Sequence, residues 1–283
     1  MISIIVDTTC GLPLDQLQAL DISVLPQLII FGNDTYRDDT EIDTATFIKK
    51  LRGSAVLPKT AAPPPALYNP IYENLLAKGN TIIVIAPSAE LSGTVRSATV
   101  AAQDFPGADI RIIDTRTVAA GLGSIVLKAR QLVDEGIDPD SLVTQIKAMA
   151  SQEKLYFVVD TLEYLYKGGR IGGAQALFGS LLQIKPILTV EDGRVQSFES
   201  ERTKRRALAK VQDLVLKECP CSPDAYLTVA HCEAYEEACE FADFFKRTMA
   251  FETIPIYVVP PAIVVHAGPK VIEVSFFASA PNP

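Results

Sequence analysis

Tyr166-Lys-Gly-Gly-Arg-Ile-Gly-Gly-Ala-Gln-Ala-Leu-Phe-Gly-Ser-Leu-Leu-Gln-Ile-Lys-Pro186 separates two unlike halves of the chain. It sets four glycines, Gly168, Gly169, Gly172 and Gly173, around one arginine, Arg170, and then runs almost without polar side chains. Glycine permits tight turns and close backbone approach. The stretch therefore reads either as a guanidinium held at a crowded spot or as a helix break with Arg170 on the surface. The apolar run after it points to something greasy nearby.

Upstream of this stretch, strand and helix patterns alternate. Ile2 to Val6, Thr81 to Ala86 and Ile110 to Ile113 are buried β-branched runs, each closed by polar residues and followed by a helical pattern. Ile22 to Phe31 reads as a further strand, at an edge or bulge because it contains Pro26. An acidic stretch leads into a helix near Ala45 to Arg52, and Pro58 to Pro65 reads as irregular until a helix starts at about Pro65. Helices over Val118 to Glu135 and Ser141 to Gln152 complete an α/β pattern, so residues 1–152 are predicted to form a doubly wound parallel sheet.

Downstream, Leu155 to Val159 is a strand, and Ile187 to Val190 and Arg194 to Ser200 form a hairpin through Asp192-Gly193. Helices at Thr203 to Lys217 and Glu233 to Thr248 separate strands at Tyr226 to Ala230, Thr253 to Val259, Ala262 to His266 and Val271 to Ala278. Residues 153–283 are thus predicted to form an α+β domain with a largely antiparallel sheet.

Composition bounds the function. A chain of 283 residues is long enough for two domains, and 48% hydrophobic with 21% charged residues can bury a sizeable core. A net charge of -8 argues against nucleic acid, which needs clustered Lys and Arg. No apolar stretch reaches the roughly 18 residues of a membrane span, and the first residues read as a strand, so a cytoplasmic protein is expected. Five cysteines, with Cys10 apart and four between Cys219 and Cys239, suggest reduced thiols rather than a disulfide framework.

Several chemistries lack their signatures. Cys219, Cys221, His231 and Cys232 do not have structural zinc spacing. A Gly-x-Ser-x-Gly elbow and a Walker A loop are absent, and Gly121-Leu122-Gly123 lacks the third glycine of a dinucleotide fingerprint. No metal, cofactor or catalytic residue is predicted. What remains is a set of hydroxyls at strand-to-helix loops, Thr8, Thr60, Ser88, Ser92 and Thr94, together with His266. Helix-start N–H groups and hydroxyls suit an anion, and as a set these suit one carboxylate better than a polyphosphate. Taken singly, the Thr8 loop also reads as a helix cap and His266 as a satisfied core histidine.

In order along the chain, several motifs resemble the DegV family of bacterial fatty-acid-binding proteins, which includes the FakB subunits of fatty acid kinase. They are Asp7-Thr8 with Leu12-Pro13, Lys59-Thr60, Leu91-Ser92-Gly93-Thr94, Asp114-Thr115, Lys167-Gly168-Gly169-Arg170-Ile171, Ile184-Lys185-Pro186, Arg202, and His266 with Gly268-Pro269. The resemblance implies two domains that clamp one long-chain fatty acid between them, such as palmitate, stearate or oleate. It assigns the carboxylate to Thr60, Ser92, Gly93, Thr94 and His266, with Arg170, Ser88 and Thr8 in support. The segment from Ile171 to Ile184, including Leu177, Phe178, Leu181 and Leu182, would line or cover the acyl tail.

The implied protein is a monomeric carrier without catalysis of its own. It presents its ligand to a fatty acid kinase subunit for acyl-phosphate formation, with Arg202, Lys204 and Arg205 at the docking surface. Two alternatives stay open. One is an enzyme acting on an acyl ester or acyl-phosphate in the same cleft, with Ser92 or Thr60 as nucleophile and His266 as base. The other is a scaffold that binds protein through the Arg202 cluster. The chain departs from the family pattern at Gly11, Ala61, Ala89 and Lys270, which bears on the head-group geometry.

Overall fold

The computed structural model describes residues 1–179 and 184–278. The first half holds strands β1 (Ile2–Asp7), β2 (Ser23–Leu25), β3 (Leu28–Phe31), β4 (Asp34–Arg37), β5 (Lys59–Ala61), β6 (Thr81–Ala86) and β7 (Ile110–Asp114). Its helices are α1 (Leu14–Ala19), α2 (Thr44–Gly53), α3 (Pro65–Ala77), α4 (Thr94–Ala102), α5 (Ala119–Asp134) and α6 (Pro139–Gln152). The second half holds β8 (Glu153–Val158), β9 (Lys185–Glu191), β10 (Arg194–Glu201), β11 (Thr228–His231), β12 (Ile256–Val258) and β13 (Ile272–Phe277). Helices α7 (Glu163–Lys167), α8 (Lys204–Glu218), α9 (Tyr235–Met249) and α10 (Pro261–Ala267) accompany them.

The continuous apolar runs of β1 and β6 need cover on both faces, and they receive it. Strands β2-β1-β6-β7 form a parallel sheet. Ile4, Val6, Ile83 and Ile85 pack with Leu122 and Ile146 of α5 and α6 on one side. Ile5, Ile82 and Val84 pack with Tyr68 and Tyr72 of α3 and with Ala98 of α4 on the other. Local capping fixes where helices begin: the Asp138 carboxylate accepts from Ser141 N at 3.0 Å ahead of Pro139, and Thr203 Oγ1 accepts from Arg206 N at 3.2 Å.

The second sheet has the order β10-β9-β8-β13-β11-β12, antiparallel throughout except for the β11–β12 pair. Its alternation divides the apolar residues between two layers. Tyr156, Val158, Val229 and Val274 meet α8 and α9, whereas Leu155, Phe157, Leu188 and Val271 face the first half of the chain.

Three expectations need correction. Ile22 to Phe31 is two strands in different sheets, because Pro26 has no N–H to continue a ladder. Strand β2 pairs parallel with β1, while β3 pairs antiparallel with β4 and β5 in a small third sheet. The Pro58 to Pro65 segment is not wholly irregular: its prolines flank Lys59–Ala61, which pairs with β3. Ala262 to His266 is helix, not strand. Pro261 sits in the first turn, Gly268 at φ 77° ends the helix, and burial of Val264 and Val265 overrides their β propensity.

Candidate functional site

Between the parallel sheet and the inner face of the second sheet lies a cavity with about 700 Å3 of space free of protein atoms, part of it open to solvent. Leu155, Phe157, Val190, Val195 and Val271 give it apolar walls. Polar groups converge from distant loops: Thr60 of β5, Ser92 ahead of α4, Arg170 after α7 and His266 of α10. Thr60, Arg170 and His266 also wall an adjoining groove with Lys59 and Lys167, so this polar cluster stands where the cavity meets the surface.

Thr60 Oγ1 and His266 Nε2 are 2.9 Å apart. Burial, reinforced by the Arg170 charge, pushes the imidazole pKa down to about 4, so the ring is neutral at neutral pH. Its Nδ1 is buried without a partner. A buried N–H without an acceptor is rarer than a bare acceptor, which places the proton on Nε2, donating to Thr60 Oγ1. The Thr60 O–H is then free to donate to a ligand. Gly168 is required by this packing: a β-carbon there would collide with His266 Nδ1 and come within 2.9 Å of Tyr164 O.

Arg170 is half-buried, and backbone oxygens hold it in place. Its Nε donates to Leu91 O at 3.2 Å and its Nη1 to Gly168 O at 2.8 Å. The crowded-spot reading therefore describes it, and the surface reading does not. Gly172, at φ 51°, lies against the Val195 backbone, where a β-carbon would strike Val195 O. Among the described residues from 171 to 184, none forms the cavity wall. Ile171 and Ala174 are buried with Leu188 and Val195 behind it, and Leu181 and Leu182 lie outside the described residues.

Ser92 is positioned from beneath. Its hydroxyl pairs with Thr94 Oγ1 at 2.9 Å, and Thr94 donates to the fully buried Asp7 carboxylate. Asp7 also accepts from Thr9 N at 2.9 Å, from the Thr9 hydroxyl and from Gln27 Nε2 at 2.7 Å. Burial raises the Asp7 pKa against these donors. Asp7 is thus the hub of a network that Thr94 extends to Ser92. Thr94 lies behind the wall, and Gly93 starts α4 beside Ala62.

The remaining anticipated residues stand farther back. Thr8 donates to Asp38 Oδ1 at 2.7 Å, while its neighbour Thr9 lines the cavity. Burial raises Asp38 to about 7. Ser88 Oγ donates to Gly193 O at 2.7 Å and so pins the loop after β6 to the β9–β10 hairpin. Arg202 and Arg205 are exposed, and Lys204 donates to Glu237 Oε2 at 2.7 Å and Lys270 O at 3.1 Å. None of these three lines the cavity or its groove, and neither does Lys270.

Sequence reasoning placed Asp7 only in a motif and left out Gln27, Asp38, Thr9 and Glu273. A carboxylate inside the apolar run Val271–Phe277 was a readable signal for Glu273, since buried acids are rare without a role. Gln27 had none, because its partners are far away in sequence.

Comparison with known proteins agrees with this architecture. The family model described as "Uncharacterised protein, DegV family" matches residues 1–279. A DegV domain-containing protein of Halalkalibacterium halodurans is 31% identical over 277 residues, spanning 98% of both chains. A Thermus thermophilus structure described as fatty acid binding of a DegV family protein superposes with a TM-score of 0.89 at 29% identity, covering 98% of this chain and 99% of that one. The structure of DegV, a fatty acid binding protein from Bacillus subtilis, gives 0.86 at 27% identity with 98% and 99% coverage. With the family model matched along nearly its whole length, the chain belongs to the DegV family.

Proposed function

We propose that this protein binds one long-chain fatty acid between its two halves and carries it without chemistry of its own. The observation that carries the reading is an apolar cavity in whose wall Thr60, Ser92, Arg170 and His266 converge, with Thr60, Arg170 and His266 also facing an open groove. Burying an acyl chain contributes roughly 0.8 kcal/mol per CH2, so sixteen carbons supply about 10 kcal/mol before ordering costs. The head group needs only enough donors to offset desolvation of its carboxylate. Thr60 donates to it, Ser92 donates to it by exchanging its bond to Thr94 Oγ1 for one to the ligand, Arg170 balances its charge, and His266 orients Thr60. Gly93 and Thr94 fix Ser92, while Thr8 and Ser88 hold the surrounding loops. Palmitate, stearate and oleate are the ligand class.

In this reading residues 1–152 and 153–283 act as two domains that close on the ligand. The groove beside Thr60 and His266 presents the carboxylate to a fatty acid kinase subunit for acyl-phosphate formation, with Arg202, Lys204 and Arg205 contributing to docking. The enzyme alternative has a nucleophile–base pair in Thr60 and His266, 2.9 Å apart. An imidazole held at about 4 is nevertheless a weak general base at neutral pH.

Organic extraction of the purified protein followed by mass spectrometry tests the binding reading. Stoichiometric long-chain fatty acid, or calorimetric binding of stearate to delipidated protein, is expected. Absence of both would overturn it. Turnover of an acyl ester or acyl-phosphate that vanishes in His266→Ala would favour the enzyme.

A further inference from the structure

The cavity wall contains a carboxyl group that a plain fatty acid does not use. Glu273, the second residue of β13, lies opposite Phe157, and it is the acidic residue of the wall among the described residues. It is 4% exposed. One of its oxygens accepts from Ala120 N at 3.0 Å in the first turn of α5. The hydrogen bonds among the described residues use only that oxygen of the two.

The neighbourhood repeats the pattern. Side chains alternate along a strand, so Ser275 continues the row of Val271 and Glu273 on the cavity face. Its Oγ is buried without a partner. Glu153, two residues before Leu155 on the adjacent strand β8, falls in the same alternation. One of its oxygens accepts from Thr117 Oγ1 at 2.9 Å, and the other is buried and unpartnered. Three polar side chains thus share one corner under α5, with more acceptor capacity than donors to fill it. Glu273 belongs to the cavity wall and not to the groove where the head-group residues emerge.

Given the fatty-acid reading, on which this step rests, we infer that the preferred ligand carries a hydroxyl on its acyl chain, and that Glu273 recognises it by hydrogen bonding. An alkyl chain laid against Glu273 leaves a desolvated carboxyl oxygen unpaired, which is unfavourable. A hydroxyl both donates and accepts, so it satisfies that oxygen in either protonation state of the acid. Burial, with no cation nearby to oppose it, raises Glu273 to about 7. The acid therefore has both a neutral and an ionised form available near neutral pH. With the carboxylate fixed at the other polar cluster, the separation of the two sites selects the position of the hydroxyl along the chain. Sites built to hydrogen-bond a hydroxyl reject the analogue lacking it far more strongly than apolar pockets sort by size.

The test is calorimetric binding of stearate and a positional series of monohydroxystearates to the delipidated full-length protein. At least one isomer is expected to bind about tenfold or more tightly than stearate. Glu273→Leu is expected to abolish or reverse that ratio. Glu273→Gln, which retains an acceptor for Ala120 N, is expected to keep part of it. A ratio near one for every isomer with the unaltered protein overturns the inference, whether or not the leucine variant folds. So does a ratio that neither variant changes, because Glu273 would then serve only to cap α5. Absence of binding by stearate and every hydroxystearate would instead overturn the fatty-acid reading itself.

Discussion

Two polar regions of one cavity wall are built from opposite chemistry. The cluster of Thr60, Ser92, Arg170 and His266 offers donors, with Asp7 behind it anchoring Thr94. The corner under α5 offers acceptors, Glu273 in the wall and Glu153 behind it, and among the described residues no basic side chain hydrogen-bonds to either. Burial acts on both in the same sense, toward the neutral form. It drives His266 down to about 4 and pushes Glu273 and Glu153 up to about 7 and 8. Arg170 adds a guanidinium, a donor-only group, to the first cluster. The donor cluster is therefore matched to an anion and the acceptor corner to a neutral polar group.

The sharpest way to break this contrast is to remove the hub of the donor side. Asp7→Ala would strip acceptors from Thr9, Gln27 and Thr94 at once inside a fully buried site. Leaving several buried donors unpaired is expected to cost about 3 kcal/mol or more and to abolish stearate binding. Glu273→Gln keeps an acceptor for its single donor and should cost less than about 1 kcal/mol. Urea unfolding of both variants checks the order. Equal losses would mean that Asp7 is no more of a hub than Glu273.

Gly168→Ala is the next largest effect. Its β-carbon would be driven against His266 Nδ1, displacing the ring from Thr60. Overpacking of this kind costs about 1–3 kcal/mol. Stearate affinity is expected to fall about tenfold, since a tenfold change corresponds to about 1.4 kcal/mol at the head group. Unchanged affinity in a well-folded variant would show that His266 does not position Thr60 for the ligand.

Much of this architecture was legible because its causes are local. Continuous β-branched runs marked β1 and β6, and hydroxyls in loops ahead of helices marked Thr60, Ser92 and Thr94, which the structure places in two hydrogen-bonded groups, Thr60 with His266 and Ser92 with Thr94 and Asp7. What was not legible depends on pairing across the chain. Strand β3 leaves the sheet of β2 to pair with β5, about thirty residues onward, and nothing in Leu28–Phe31 names that partner. Asp38 meets Thr8 and the Gln27 backbone only after that small sheet has formed. Helix α10 failed for a different reason: Ile263, Val264 and Val265 favour strand, and only burial against α7 and β3 makes helix the better choice.

Acidity separates the two regions by sign. His266 has a folded-state pKa of about 4, below its ordinary 6.5, so between those values the unfolded chain binds a proton that the folded protein refuses. Stability from this group is lost as pH falls through that window. Glu273 and Glu153 hold their protons to about 7 and 8 when folded, against about 4.5 when unfolded. Their contribution is complete below about 4.5 and is lost as pH rises through 7 and 8. Urea unfolding across pH 4 to 9 should therefore flatten on its alkaline arm in Glu153→Gln and on its acid arm in His266→Gln. An alkaline arm that Glu153→Gln leaves unchanged would show that Glu153 ionises normally in the folded protein.

The smallest expected effect comes from Ser88, which lies outside both regions although its loop belongs to the first half of the chain. Its hydroxyl donates to Gly193 O at 2.7 Å, in the turn that joins β9 and β10, and accepts from Glu90 N at 3.2 Å. Ser88 is fully buried, so Ser88→Ala leaves the Gly193 carbonyl without its side-chain donor and should cost about 1 kcal/mol. Because Ser88 is not part of the cavity wall, stearate affinity should stay within about twofold, well below the 1.4 kcal/mol of a tenfold change. Ser92→Ala should give the reverse, a larger loss of affinity than of stability, since Ser92 lines the cavity and is not fully buried. The pair separates a hydroxyl that joins the two halves from one that meets the ligand. If Ser88→Ala lowers affinity while leaving stability intact, the Gly193 contact does not hold the halves together, and Ser88 belongs with the donors of the head-group cluster.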